Sequence, residues 1–546
     1  MTDLDPSLFT CTPNPLEAKA GKVEAVVTGT FPVKYFQKNA VVTVTPVIKM
    51  SNGQEVKGKP SVYQGEKVVG NDNVIAYKAG GTYTLNASFD YVPEMATSEL
   101  FLQFNVVAKK KSYDLKPVKV ADGVLATSEL LQKQFKGDLG ASVIADKFER
   151  DIMQMTDAEI LFLIQQSTVR KSETSSDQIK ALTDKIIEAK NAMNQTVEGL
   201  KISSYASPDG STSLNTDLAQ RRQKETEKFL NAELKKMKSD LTIESRFTPE
   251  DWDGFQKLME ESNIQDKNLI LRVLSMYQDP EQREREIKNL SAAFKQIADE
   301  VLPKLRRSQL KLIVKVTGKS DAEILQLAKD DASKLTVEEL LYAGKIANSL
   351  DEKASIYQKA VNSYSSDIRS YNNLGVVKYQ QGKIDEAADL FAKALQVDSK
   401  NADANFNAGL CALAKGDNDK ANAYFGKAAG TSGNLKNATG TYYVATGDYA
   451  KAKSSFVGVN SNNAALSQIL NKEYNAAKNT LSSVKEPDAL TAYLSAVVAA
   501  RTNDKDGVYS NLKTAIGKKN DCAKKAANDI EFAKFKTDET FQSIVK

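Results

Sequence analysis

The sequence offers few side chains for acid–base, nucleophilic or metal chemistry. It contains no histidine, which removes the usual general base near neutral pH and the commonest metal ligand. Its three cysteines, Cys11, Cys411 and Cys522, lie far apart and form no CxxC pair, so neither a thiolate metal site nor a disulfide framework is predicted. We therefore expect a protein that is not an enzyme and that uses no metal and no cofactor.

The cysteines themselves are predicted to be packing residues. Cys11 follows Leu8-Phe9-Thr10, which lacks the small residue expected before a lipid-modified cysteine, so we expect a solitary, partly buried thiol. Cys411 lies in a helical stretch where a small apolar core residue is expected. Nothing in the sequence around Cys522 marks that thiol as reactive.

The net charge does not favour nucleic-acid binding, and the hydropathy pattern predicts no membrane-spanning helix. The 74 basic and 70 acidic residues leave a net charge of +4, too small to favour nucleic-acid binding. The sequence has no apolar run of about 18 residues, the length that a membrane-spanning helix needs. It begins Met-Thr-Asp-Leu-Asp-Pro, without the apolar segment of a signal peptide.

The elements that must position any binding residues fall into three predicted domains. A chain of 546 residues is too long for one hydrophobic core, so a multidomain fold is expected. After an N-terminal tail over 1–19, residues 20–118 predict an immunoglobulin-like β-sandwich, because runs rich in Val, Thr, Phe and Tyr alternate with turn residues. The predicted strands are Val23–Thr30, Ala40–Ile48, Tyr83–Tyr91 and Glu99–Val107.

The central domain is predicted to be an α/β domain over residues 119–318, with a helical insertion at 249–303. Apolar runs alternate there with amphipathic stretches. The predicted strands are Glu159–Gln165, Leu200–Ala206, Leu241–Phe247 and Leu310–Val316, and the predicted helices between them are Ser175–Ala192 and Leu214–Met237.

Residues 319–546 are predicted to form an α-helical solenoid, because several residue types recur at one spacing. Asn373-Leu374-Gly375 recurs 34 positions later as Asn407-Ala408-Gly409, and the same shift relates Gly382 to Gly416 and Phe391 to Phe425. A period of 34 with small residues at helix crossings is that of the tetratricopeptide repeat. We expect the array to cover about 335–516 and a helix near 521–545 to cap it.

Such an array presents a concave face on which an extended partner segment can lie. Side-chain amides there can bind the backbone of a partner without requiring a particular sequence. The candidate contacts are polar and aromatic residues on the first helix of each repeat: Asn372, Asn373, Tyr379, Asn405, Asn407 and Tyr442.

The central domain also carries a motif. Ser204-Tyr-Ala-Ser-Pro-Asp-Gly210 follows a predicted strand, Asn215-Thr-Asp-Leu-Ala-Gln-Arg-Arg222 opens the next helix, and Arg306-Arg307 precedes the last strand. Over about 155–318 this resembles the OmpA C-terminal peptidoglycan-binding family. The resemblance places the family's arginine on Arg222 and its aspartate on Ser207, with Asp209 as the acid that could substitute. It thus implies either a peptidoglycan contact at these residues or an OmpA-like scaffold.

The order of the domains resembles lipoproteins of the Bacteroidota cell envelope. This resemblance implies a signal peptide removed on export, a lipidated cysteine upstream of Met1 and association with the outer membrane. The expected function is a non-catalytic scaffold that binds envelope proteins, such as an outer-membrane protein complex, through its repeats. The alternative is an OmpA-like lipoprotein that anchors to peptidoglycan.

Overall fold

The computed structural model describes residues 1–70, 72–264, 266–289 and 291–546, and it divides the chain into two compact units. Residues Met1–Asp146 and Ala328–Lys546 together form what we call the composite unit. Residues Lys147–Leu327 form the middle unit. The predicted boundary at residue 119 is therefore wrong, because 119–146 pack with the N-terminal strands and the repeats rather than with the α/β domain.

The N-terminal strands form two sheets that share one core. One sheet has the order β1-β3-β2-β11 with β8 on β3, and the other has the order β10-β9-β4-β6-β7 with β5 on β4. Buried side chains alternate along β3 and β8, as expected where one face of a strand packs inward. The strands are β1 Phe9–Thr12, β2 Leu16–Lys19, β3 Lys22–Phe31, β4 Ala40–Met50, β5 Glu55–Lys57, β6 Ser61–Gly65, β7 Asn73–Ile75, β8 Gly81–Asp90, β9 Ser98–Ala108, β10 Lys111–Asp122 and β11 Val124–Leu125.

The predicted N-terminal tail over 1–19 is also wrong. Strand β1 pairs with β3 in the register Phe9 to Gly29, and β2 pairs with the same strand. Leu16 is completely buried and Ala18 nearly so. Two short runs of alternating apolar residues therefore supply part of the core of the sheet, whereas all four strands predicted between 23 and 107 are present.

The middle unit is a four-stranded mixed sheet with helices, as the alternating pattern predicted. Its order is β12-β15-β13-β14; β13 and β14 are parallel, and β15 is antiparallel to both of its neighbours. Ser176 and Ser211 cap the two helices that pack on the sheet. The elements are β12 Asp151–Leu161, α1 Lys171–Thr174, α2 Asp177–Asn191, β13 Gln195–Tyr205, α3 Thr212–Lys236, β14 Ile243–Thr248, α4 Trp252–Glu261, α5 Lys267–Met276, α6 Pro280–Asn289, α7 Ser291–Glu300, α8 Leu302–Leu305 and β15 Arg307–Thr317.

The first strand of this sheet begins and ends earlier than predicted. The prediction placed it at Glu159–Gln165, on the apolar run, but β12 spans Asp151–Leu161. Its full length pairs with β15, from Asp151 opposite Thr317 to Leu161 opposite Arg307. Backbone pairing with β15 thus determines where β12 begins and ends, although the first five residues of β12 are exposed.

The remaining chain is helical, and consecutive helices pack as antiparallel pairs across short turns. The glycines Gly382, Gly416 and Gly447 adopt φ of +77°, +78° and +77° at equivalent turns, as predicted for the first two. The helices are α9 Asp321–Asp330, α10 Val337–Ile346, α11 Leu350–Ser363, α12 Ile368–Gln380, α13 Ile384–Val397, α14 Ala402–Ala414, α15 Asn418–Phe425, α16 Leu435–Ala445, α17 Tyr449–Ser455, α18 Asn462–Leu470, α19 Tyr474–Ser482, α20 Ala489–Arg501, α21 Lys505–Lys518, α22 Asp521–Asn528 and α23 Glu539–Val545.

Glycines inside the repeat helices permit close approach of an aromatic ring. A methyl group on Gly409 would lie 2.5 Å from Cε1 of Phe425, whereas one on Gly517, in α21, would meet nothing within 4 Å. We expect Gly409→Ala to lower the free energy of unfolding by about 1–3 kcal/mol through overpacking. Gly517→Ala should raise it by about 0.5–1 kcal/mol through helix propensity. Urea titrations of both variants check this, and equal effects of the same sign would contradict the packing argument.

Candidate functional site

The candidate repeat contacts meet a polypeptide backbone, and that backbone belongs to the same chain. Asn407 on α14 accepts a hydrogen bond from the backbone NH of Ser142 at 2.7 Å and donates its amide to the carbonyl of Ser142, also at 2.7 Å. Asn372 on α12 donates to the same carbonyl at 3.0 Å. Both polar groups of one buried peptide residue are therefore satisfied by side-chain amides.

A second asparagine repeats this geometry two residues further along. Asn373 accepts from the NH of Ile144 at 3.0 Å and donates to its carbonyl at 2.9 Å. Asn407 also donates to the side-chain oxygen of Asn372 at 2.9 Å, and Asn372 donates to that of Asn373 at 3.1 Å, so the three amides form one network. Alternate residues of an extended segment face the same side, so the spacing of Ser142 and Ile144 fits two adjacent helices.

The same segment continues to the later repeats. Asn463 on α18 accepts from the NH of Gln132 at 3.0 Å and donates to its carbonyl at 2.7 Å. Tyr379 accepts from the NH of Phe135 at 3.1 Å, and burial raises the pKa of this tyrosine to about 12. We name residues 131–146 the strap and the face formed by α12, α14 and α18 the groove. The bound residues of the strap begin at α18 with Gln132 and end at α12 with Ile144, and a short 3-10 helix, Gly137–Leu139, lies between these ends.

Four of the six candidate groove residues thus contact the strap. Asn372, Asn373, Tyr379 and Asn407 contact it, whereas Asn405 bonds to the carbonyls of Ser399 and Asn401 in its own helix cap. Tyr442 is half-buried, with its ring centroid 5.1 Å from that of Tyr443. Whether these residues also bind an external partner stays a prediction.

Sequence reasoning missed Asn463 and Asp403, two of the further residues that bind the strap. Asn463 does not lie at a multiple of 34 from Asn373 or Asn407, because the repeat that contains it is shorter. Asp403 accepts a hydrogen bond from the Ser142 hydroxyl at 2.8 Å. Because it is a charged residue in the first turn of α14, its sequence position predicts an exposed side chain. The adjacent asparagines Asn462 and Asn463 at the start of α18 were the feature of the sequence that could have predicted a contact there.

In the middle unit, the candidate Arg222 is a buried structural residue. It is 1% exposed and donates to the carbonyls of Tyr205 at 2.8 Å, Gln166 at 3.0 Å and Leu163 at 3.4 Å. Its guanidinium lies 5.2 Å from the ring centroid of Phe162. Burial, and secondarily the charge of Arg306, lower the pKa of Arg222 to about 10. A contact with cell-wall peptide would require these hydrogen bonds to break.

The other two candidates of the middle unit form an internal ion-pair network. Asp209 lies 3.2 Å from the guanidinium of Arg306, which also donates to the Ser207 hydroxyl at 3.2 Å, and that hydroxyl bonds to Asp209. The cavity beside Asp209 and Trp252 has a volume of about 10 Å³, room for roughly one water molecule. Arg306 thus occupies the position at Asp209 that a ligand ammonium would need.

The three cysteines form no disulfide; Cys411 and Cys522 are buried and Cys11 is half-buried. Burial raises the pKa of Cys411 to about 12 and that of Cys11 to about 11, and it also raises the pKa of Cys522. Because the thiolate is the nucleophile, we expect labelling at pH 8 with an aromatic disulfide reagent to be at least ~10-fold slower than in the urea-unfolded chain. A thiol that reacts at the unfolded rate in the native chain would contradict this.

Within residues 1–70, 72–264, 266–289 and 291–546, no group of three or more Cys, Asp or Glu side chains could hold a metal ion. Over the same described residues, no helix has the length and apolar character needed to cross a bilayer.

Comparison with known proteins gives a family match within the helical array. A family model described as tetratricopeptide repeat matches residues 372–434. No curated protein gave a significant match. Among solved structures, a chain of the APC/C hetero-tetramer Cut9–Hcn1 is similar at 14% identity and TM-score 0.34, over 42% of this chain and 46% of that one. A tetratricopeptide repeat protein from Parabacteroides merdae is similar at 14% identity and TM-score 0.31, over 48% and 96%.

Yeast Tom70 is similar at 13% identity and TM-score 0.28, over 67% of this chain and 88% of that one. The alignment thus spans less than half of the first of these structures and most of the other two. The match of the family model is the specific finding, since it falls on α12 to α15 and includes Asn372, Asn373 and Asn407. Residues 372–434 are therefore similar to tetratricopeptide repeats, and Asn372, Asn373 and Asn407 lie within them, whereas Asn463 lies outside the matched residues.

Proposed function

We propose that this protein is a non-catalytic scaffold whose repeats hold extended polypeptide segments in the groove. The observation that carries the proposal is the pairing of Asn373 with both backbone groups of Ile144 and of Asn407 with both backbone groups of Ser142. Each amide offers one donor and one acceptor, which matches the NH and the carbonyl of any residue. Such a groove selects for extended conformation and accepts varied side chains.

The proposed location is the cell envelope, with the protein associated with the outer membrane through a lipid anchor upstream of Met1. The support is the resemblance of the domain order to Bacteroidota envelope lipoproteins and the OmpA-like motif of the middle unit. In that setting the middle unit serves as an OmpA-like scaffold. The burial of Arg222 and the pairing of Asp209 with Arg306 give no support to the alternative of peptidoglycan anchoring. Fractionation of cells that express the natural precursor tests the location.

Site-specific photo-crosslinking in cells tests the scaffold function. Tyr442 and the strap residue Leu139 pack against the same hydrophobic cluster, so a photoreactive amino acid at position 442 reports on the groove. Position 475, an exposed asparagine on α19, is the matched control away from the strap. We expect discrete protein adducts from position 442, fewer of them with Asn407→Ala, and none of the same set from position 475. Adducts confined to the chain itself, or identical from both positions, would contradict the proposal.

A further inference from the structure

The strap is bound as a ligand would be, at three separated points along the groove. Gln132, Ser142 and Ile144 each have their NH and carbonyl paired with an asparagine side chain. Between these points, residues 136–138 are exposed. The asparagines of the groove therefore bind the backbone near the two ends of the strap, and only the short turn around residues 136–138 lies outside.

Two strap side chains add selectivity to this backbone recognition. Phe135 is 8% exposed and packs in a hydrophobic cluster with residues of α12 and α14. Seven residues later, the Ser142 hydroxyl donates to Asp403 at 2.8 Å and bonds to Ser432, in a space too confined for a large side chain. By contrast, Val143, which lies between Ser142 and Ile144, is 47% exposed, so the groove does not restrict the side chain at this position.

We propose that the strap is a built-in ligand that defines the kind of partner the groove accepts. That partner is a segment whose backbone is bound near both ends, from α18 to α12, with a short turn between them, and it has an aromatic residue followed seven positions later by a small hydroxyl residue. It binds by replacing the strap. This inference rests on the proposed function, since it assigns the partner of the same groove.

The covalent connection of the strap sets how strongly it competes. One end continues into β11 of the N-terminal sheets, and the other end is Asp146, whose carboxylate lies 3.5 Å from the amine of Lys345 on α10. A ligand tethered in this way acts at an effective concentration on the order of millimolar. A free segment of equal intrinsic affinity therefore binds the intact chain weakly, and any loss of strap contacts raises its apparent affinity.

Fluorescence anisotropy with a labelled synthetic peptide of residues 131–146 tests this, using the full chain throughout. Ser142→Pro removes the NH that Asn407 accepts, and Phe135→Ala removes the aromatic anchor. We expect either strap variant to bind the peptide at least about 10-fold more tightly than the wild-type chain does. Adding Asn407→Ala to the Ser142→Pro chain should reverse the gain, and Val143→Ala should bind as the wild type does.

Altered peptides test the pattern itself. In binding to the Ser142→Pro chain, peptides carrying F135A or S142L should bind at least about 10-fold more weakly than the parent peptide, while V143A should bind equally. The proposal is wrong if both strap variants retain wild-type circular dichroism and bind the parent peptide no better than the wild-type chain does. Because this assay uses a defined peptide, it can fail while crosslinking in cells finds partners, or succeed while crosslinking finds none, so the two proposals are judged separately.

Discussion

Phe135→Ala is expected to lower the free energy of unfolding of the composite unit by about 3 kcal/mol. Removing a buried phenylalanine loses its transfer free energy and leaves a cavity, and these together cost about 3–5 kcal/mol in protein cores. Phe135 is nearly buried and joins a cluster that includes Phe391, Phe406 and Phe425 of the repeats. Urea titration followed by far-ultraviolet circular dichroism measures the loss.

The control for this prediction is Val143→Ala on the same strap. Val143 is 47% exposed, so its truncation should change the free energy of unfolding by no more than about 0.5 kcal/mol. The only tryptophan, Trp252, lies in the middle unit, so its fluorescence transition should not move in either variant. If Phe135→Ala costs as little as Val143→Ala, the strap does not contribute to the core of the repeats.

Arg222→Ala is expected to lower the free energy of unfolding of the middle unit by about 2–4 kcal/mol. The substitution removes the guanidinium, itself 1% exposed, that binds the carbonyls of Leu163, Gln166 and Tyr205. Hydrogen bonds from a charged donor contribute about 1.5–3 kcal/mol, and the loss of the buried side chain also leaves a cavity. Trp252 fluorescence during urea titration reports this unit directly.

Its neighbour Arg221 provides a matched control, since both are arginines on α3. Arg221 is about half exposed and forms an ion pair with Asp217 one turn earlier. An exposed pair of this kind contributes about 0.3–0.5 kcal/mol, so Arg221→Ala should have a small effect. If Arg222→Ala left the Trp252 transition unchanged but abolished sedimentation with purified sacculi, Arg222 would act as a ligand contact, and its structural assignment would be wrong.

Local patterns in the sequence determined the repeats and most elements. The recurrence of Gly375 and Phe391 at Gly409 and Phe425 predicts helix pairs, because a ring can approach a helix closely only where no Cβ intervenes. Runs rich in Val, Thr, Phe and Tyr between turn residues likewise predicted four strands of the N-terminal sheets. These signals are visible because each depends on residues that are near one another in the chain.

The occupant of the groove was decided only by the tertiary structure. Asn372 and Asn407 meet Ser142 across 230 and 265 residues of sequence. The strap has no helical or strand periodicity, and its recognition depends on backbone groups that every residue carries. The asparagines were therefore predictable as backbone binders, whereas the segment that they bind had no signature in the sequence.

The role of Arg222 shows the same division. The sequence motif predicted the position of Arg222. Whether its guanidinium binds a ligand or the protein's own carbonyls depends on the fold, which places residues 163–166 next to the end of β13. Likewise, Asp209 is an available acid in the sequence and a partner of Arg306 in the fold. Sequence spacing determines which side chains can reach a site, and only long-range packing decides which groups fill it.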